Sequence, residues 1–313
     1  MQHARDMSYE QRFSHYLDTF LMLLPSVRDG EVEAIHDARV ATRRLRSMVR
    51  LFKALAPDVE TQPAHQALKD AGRVLGNARD VDVALELAAE IETRAPVFAL
   101  PLAALRTTLV REQLRRRRKM VKRLDALQFE PLFALHRHAR TASRPAEMER
   151  VVAAAIAEHS ELVARAVDHA SGVYFTNRAH GTRIALKKLR HLVELADGCE
   201  AQCKALKLLR RSQEALGQIH DREVLRAHLK QMDWDSEAAR ATSTALAEVL
   251  EAEIRTFYQK FLTRRSELAA LLRALHDWAT VLRTSRRRRR MLTAAVAAVP
   301  SAAVVLLARR VAN

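Results

Sequence analysis

The sequence predicts an all-α protein whose design is used twice, and three observations carry that prediction. Its 313 residues include only 7 glycines and 8 prolines, little turn chemistry for a many-stranded fold, while 49% are apolar and suffice for a buried core. The apolar residues recur at three- and four-residue spacing, with no strand-length alternation between the breaks. Segments of the first half also return in order in the second. HDARVATRRLR at 36–46 returns as HGTRIALKKLR at 180–190, LGNARD at 75–80 as LGQIHD at 216–221, and LFALH at 132–136 as LRALH at 272–276.

Along the chain, the helical pattern is interrupted at 57–63 (PDVETQP), 94–101 (RAPVFALP), 142–148 (ASRPAEM) and 171–177 (SGVYFTN). The break at Ser143–Pro145 separates the two copies. Two similar helical units are expected, over residues 8–145 and 146–283, each with about four helices joined by short loops into antiparallel neighbours. Within each copy the LG segment is expected to precede a helix start, with Asp80, Asp82 and Asp221 capping backbone N–H groups and opposing the macrodipole. Residues 284–313 form a third segment. Arg286–Arg290 is an unbroken arginine run, 291–308 is uncharged, and Arg309 and Arg310 follow. An extra C-terminal helix is expected, covering an apolar patch or pairing with another copy. The alternative is weak membrane association, since the uncharged stretch reaches the lower limit of a span although Pro300 interrupts it. The first residues lack an apolar signal core and the two cysteines, Cys199 and Cys203, read as reduced thiols, so a cytoplasmic location is expected.

Charge gives the first indication of function. Lys and Arg number 53 against 37 Asp and Glu, a formal net charge of +16, which points to an acidic polymer or surface as partner. The cations are organised. At 100° per residue, His36, Arg39, Arg43, Arg46 and Arg50 fall within about 80° of one another, and Ala41, Leu45, Met48, Val49 and Phe52 take the opposite side. The second copy repeats this with His180, Arg183, Lys187 and Arg190 against Ala185, Leu189, Leu192 and Val193. A further ladder, Arg111, Arg115, Arg118 and Lys122, shares a stripe about 60° wide, and its counterpart in the second half keeps only Arg255. Like charges at i, i+4 destabilise a helix by a few tenths of a kcal/mol per pair, and almost no acids lie within these stripes, so the counter-charge should come from outside the helix. Histidines at the head of each stripe can donate to phosphate oxygen whether neutral or charged.

HDARVATRRLR, HGTRIALKKLR and the LGNARDVDVAL and LGQIHDREVL segments together resemble the CHAD family, the conserved histidine α-helical domain, over roughly residues 8–283. The resemblance implies two four-helix bundles related by pseudo-two-fold symmetry, with a basic channel between them that binds inorganic polyphosphate without catalysis or a cofactor, in association with polyphosphate granules. Carried over to this sequence, the binding positions are His36, Arg39, Arg43, Arg44 and Arg46, with His180, Arg183, Lys187, Lys188 and Arg190. Lys187 and Lys188 replace a doubled arginine, and lysine meets phosphate as a point charge rather than a fork. Gly181 inside the second motif lowers helix propensity by about 1 kcal/mol relative to alanine. The second copy is therefore expected to bind more loosely than the first.

Two other readings compete. A metal-dependent phosphohydrolase would use the pairs His36-Asp37, His220-Asp221 and His276-Asp277, but no HExxH spacing, carboxylate cluster or P-loop accompanies them, and Asp37 becomes Gly181 in the second copy. Nucleic acid is the stronger competitor, because charge alone does not distinguish phosphodiesters from phosphoanhydrides. Aromatic residues are 5% of the chain and are not interleaved with the ladders, so stacking platforms for bases are missing. Non-specific nucleic-acid binding at low salt is still expected from the net charge.

Overall fold

A computed structural model describes residues 7–141, 145–172, 174–196 and 200–284. The arginine run, the uncharged segment 291–308 and Cys199 lie outside the described residues, which contain no strand. Among the described residues ten α-helices follow one another: α1 (Tyr9–Asp29), α2 (Val32–Leu55), α3 (Gln62–Arg94), α4 (Ala99–Asp125), α5 (Glu130–Thr141), α6 (Pro145–His169), α7 (Thr176–Leu195), α8 (Glu200–Lys230), α9 (Glu237–Leu262) and α10 (Arg265–Thr284), with a 3-10 turn at Pro96–Phe98. Five fall on each side of residues 142–144, one more than the periodicity suggests. Ala126–Phe129 and Thr263–Arg264 break the chain without glycine or proline, so composition does not mark them.

Local chemistry places the two helices that carry the motifs. Ser8 caps α1 in a reciprocal capping box with Gln11. The helix ends at Gly30, whose φ of 83° only glycine adopts without strain, and the Glu31 N–H bonds the Ser26 carbonyl at 3.0 Å. The chain reverses directly into α2. That helix buries Ile35, Ala38, Ala41, Leu45, Met48 and Phe52, the three- and four-residue spacing read from the sequence. In α7, Ala179, Leu186, Leu189 and Val193 do the same. Buried Arg12 of α1 donates to the Leu195 carbonyl at 2.7 Å, which ties the end of α7 to the first half of the chain.

Both apolar cores draw on both halves. The larger takes Phe13 and Phe20 from α1, Leu45 from α2, Leu68 from α3, Ile156 from α6, Leu189 from α7 and Phe261 from α9. The smaller joins Leu87 and Ile91 of α3 and Leu105 of α4 to Leu225 and Leu229 of α8 and Leu250 of α9. Along α3 the first core ends at Ala78 and the second begins at Val81; along α8 the corresponding residues are Ile219 and Leu225. The polar residues Arg79, Asp80, His220, Asp221 and Arg222 occupy the layer where the cores part. This corrects the expectation for the LG segments. Asp80, Asp82 and Asp221 lie inside continuous helices of 33 and 31 residues, not at helix starts. Asp82 is buried and accepts from Gln113 at 2.7 Å and from Arg117 at 3.2 Å, both on α4.

Shared cores make each half dependent on the other. Residues 7–141 and 145–284 produced separately are expected to lack a cooperative thermal transition, and mixing them should restore one, as read by circular dichroism. A sharp transition in either isolated half would contradict this account of the packing.

Candidate anion-binding site

α2 and α7 pack against each other and α3 against α8, so the two motif helices meet. Their basic stripes face a common seam. Arg39 acts electrostatically on Arg183 and on Lys187, and Arg43 acts on Lys187. Arg46 and Arg50 act on Lys188. His180 lies beside His220, their rings 5.2 Å apart, and His36 is close to Arg79. Gly76 on α3 leaves room for Arg39, whose Nε would lie 3.6 Å from a Cβ at that position. Gly181 is exposed in α7, and a Cβ there would meet nothing within 4 Å.

Most of these cations are half-buried rather than solvated, and their electrostatics show it. Burial, with the charges of Arg183, Arg39 and Arg43, pushes the Lys187 ammonium down to about 7 against the opposing pull of Asp221. Burial and the neighbouring Arg39, Arg190 and Arg44 lower Arg43 to about 9, and burial with Arg183, His180 and Lys187 lowers His220 to about 4. Asp221 moves the other way. Its burial raises it, with Asp80 adding to the effect, although Arg183 and Lys187 pull it down. The site is an assembly of like charges that the fold holds together at a cost.

Glu194 relieves part of that repulsion. His191 is 3% exposed, and its Nε2 accepts from Arg43 Nε at 2.6 Å. The ring proton is therefore on Nδ1, which lies 3.2 Å from the Glu194 carboxylate. Burial lowers His191 to about 4 despite that carboxylate, so the ring is neutral. For Glu194, burial acts upward, but the His191 hydrogen bond and the Arg190 and Arg44 charges outweigh it and hold the carboxyl at about 2. Arg44 also stacks over the Tyr16 ring, 5.1 Å from its centroid.

The seam thus brings together His36, Arg39, Arg43, Arg44, Arg46, Arg50, His180, Arg183, Lys187, Lys188 and Arg190. The α4 ladder stands elsewhere. Arg111, Arg115, Arg118 and Lys122 are exposed on the outer face of a helix packed on α3 and α9, and Arg115 pairs with Glu112 at 2.6 Å. Arg255 is 72% exposed on α9 and pairs with Glu251 at 2.6 Å. From α4 it is Arg116 and Arg117 that turn inward, to the Asn77 carbonyl at 2.8 Å and to Asp82. His65, His159, His191, Glu194, Arg210 and His220 are the site residues that the stripes alone do not identify. His191 and Glu194 could have been found by comparing the two copies beyond residue 46. No group of three or more His, Cys, Asp or Glu with metal-binding geometry occurs among the described residues, and no described helix is long and apolar enough to cross a membrane.

The CHAD domain family model matches residues 11–230, which contain both histidine motifs and both LG segments. No curated protein matches the chain. The crystal structure of the CHAD domain from the plant Ricinus communis is similar over 86% of this chain and 90% of its own, with 24% identity and a TM-score of 0.59. PptA from Streptomyces chartreusis is similar over 83% of this chain and 98% of its own, with 16% identity and a TM-score of 0.61. At these identities the two structures support the fold, and the motif match over most of the chain supplies the rest: this all-α chain belongs to the CHAD domain family.

Proposed function

We propose that the protein binds inorganic polyphosphate, without catalysis, along the basic seam between α2 and α7, and that it does so at polyphosphate granules in the cytoplasm. Family membership favours a polyphosphate-related role. One observation carries the assignment of the seam. The Nε–H donors of Arg44, Arg46, Arg183 and Arg190 are buried and have no hydrogen-bond acceptor among the described residues. Native structures rarely leave such donors unsatisfied, and charge-assisted bonds to phosphate oxygens would satisfy them. The residues come from both motif copies. Arg39 and Arg183, Arg43 and Lys187, and Asp80 and Asp221 are matched positions of the two motifs that also act on one another, which supports a two-fold relation between the halves with its axis near them. On this reading residues 8–145 and 146–283 are two copies around one site, and the outer α4 ladder with Arg255 is an electrostatic approach surface rather than a contact surface.

Nucleic acid remains the competing ligand, and recession of the cations argues against it. A bare phosphate chain can enter between two helices, whereas a duplex is far wider and a single strand would need stacking surfaces for its bases. Tyr16, the ring that Arg44 touches, is already covered by that guanidinium.

The test is a calorimetric titration with long-chain polyphosphate at physiological salt and pH 8, in buffers of different ionisation enthalpy, with duplex DNA as competitor. Lys187 is largely neutral there in the free protein, and nearby phosphates should restore its proton, so binding is expected to take up close to one proton. The same depressed lysine makes the free protein gain stability as pH rises from about 7 toward the ordinary lysine range, because there the unfolded chain binds the proton that the folded chain rejects. Displacement of polyphosphate by an equal charge of duplex would transfer the assignment to nucleic acid. Binding without proton uptake would move the phosphates away from Lys187.

A further inference from the structure

The two ends of the seam are not equivalent. Matched residue for residue, HDARVATRRLRSMVR at 36–50 and HGTRIALKKLRHLVE at 180–194 place Arg50 opposite Glu194 and Ser47 opposite His191. At the Arg50 end, every charge acting strongly on Arg46, His65 and Lys188 is positive, coming from Arg46, Arg50 and Lys69. His159 of α6 closes this end, also under the charges of Lys188 and Arg50, with Glu158 opposing them. His65 Nε2, like Arg46 Nε, is buried without a hydrogen-bond partner among the described residues. At the other end carboxylates act on the cations: Glu214 acts on Arg190, and Glu194 stands among the arginines. Glu194 lies 3.7 Å from Arg190, 3.8 Å from Arg44 and 4.0 Å from Arg210. None of these is a hydrogen-bond distance, and Arg44 Nε and Arg190 Nε stay unsatisfied beside it. The carboxylate, held by His191 Nδ1 at 3.2 Å, neutralises the arginines without engaging their donors.

We propose that Glu194 is an internal competitor for phosphate, occupying one end of the seam in place of ligand, so that an inorganic polyphosphate seats first among Arg46, Arg50, Lys188, His65 and His159 and reaches Arg44, Arg190 and Arg210 only by displacing that carboxylate. This rests on the polyphosphate reading above and adds a direction to it. The open end takes a short phosphate segment outright. The Glu194 end adds affinity only when the rest of the chain holds a phosphate close to the carboxylate, which makes it selective for long chains. Glu194 also acts through His191 on Arg43, so it is a positioning residue as well as an obstacle.

Glu194→Gln separates the two roles, because the amide oxygen can still accept from His191 Nδ1 while the negative charge is gone. Calorimetry with long-chain polyphosphate is expected to show about tenfold tighter binding, equal to about 1.4 kcal/mol, with tripolyphosphate changed by less than about twofold. An unchanged affinity for long chains overturns the inference. Equal tightening for both ligands also overturns it, since that is the effect of one added net charge. Should circular dichroism show that Glu194→Gln does not fold, Glu194→Asp decides: it keeps the charge but withdraws it from Arg44 and Arg210, and long chains should bind about threefold tighter. No change in that variant is equally fatal. Failure of the parent protein to bind either phosphate removes the functional reading itself, whereas parental binding indifferent to Glu194 removes only the competitor.

Discussion

The double substitution Arg43→Glu, Lys187→Glu is expected to abolish binding of long-chain polyphosphate, lowering affinity by about 10³ or more at physiological salt, while leaving helical content intact. The two residues are equivalent positions of the two motif copies, and each lies under the positive charges of its neighbours. Reversing both removes two of the proposed phosphate contacts from the middle of the seam and places two anions on the proposed path of the chain. Like-charge juxtaposition at an interface costs several kcal/mol, and about 4 kcal/mol corresponds to the stated loss. The effect on the free protein is mixed: burial, the largest cause of the lowered Arg43 and Lys187 values, penalises a carboxylate there as well, while the neighbouring cations favour it. Arg115→Glu with Arg255→Glu is the matched control. It makes the same formal change on exposed α4 and α9 positions that are already paired with Glu112 and Glu251, and its cost should stay below about tenfold. Equal losses in both double variants would mean that the protein reads net charge alone. Loss of fold in the first would make Arg43 and Lys187 structural.

Stability and binding oppose each other at these residues, and that opposition explains what the sequence revealed and what it concealed. The helices of the site were legible because α2 and α7 each need an apolar face at three- and four-residue spacing, and the stripes on their other faces repeat. The partnership of the stripes was legible only through the repeat, since spacing says which residues share a face and nothing about what that face meets. The α4 ladder shows the difference. Its periodicity is as regular as that of α2, yet the inward cations are Arg116 and Arg117, because Leu102, Leu105, Leu109, Met120 and Leu124 set which way the helix turns. Asp80 and Asp221 misled for a related reason. Glycine and aspartate in LGNARD and LGQIHD resemble a helix boundary, but Leu75, Ala78, Val81 and Ala84 continue the buried face through the segment. The polar residues belong to the layer between two cores, which no local pattern announces. His191 and Glu194 lie outside both stripes and enter the site only through the approach of α2 to α7, although the contrast of RSMVR with RHLVE records their asymmetry.

Chain length should control affinity more strongly than any other property of the ligand. From His36 to Arg50 the stripe runs about 21 Å along α2 at 1.5 Å per residue, roughly four turns. A triphosphate spans on the order of one turn of 5.4 Å and can engage only one local group of cations. A longer chain held by Arg46, Arg50 and Lys188 presents its next phosphates to Arg43, Lys187, Arg39 and Arg183 at high effective concentration, so each further contact forms within one complex and avidity can exceed that of a single segment by about 10² or more. The expected result is weak binding of pyrophosphate and tripolyphosphate, a steep rise through intermediate lengths, and a plateau once the seam is filled. A size-graded polyphosphate series titrated by calorimetry measures it. Because Arg39, Arg43, Arg183 and Lys187 are half-buried between helices rather than spread over the surface, the plateau should come at a defined length, whereas an exposed basic surface would keep gaining affinity as chains grew. Tripolyphosphate binding as tightly as a chain of dozens of units would replace the seam with a single local phosphate pocket, and the repetition of the histidine motif would then need another cause.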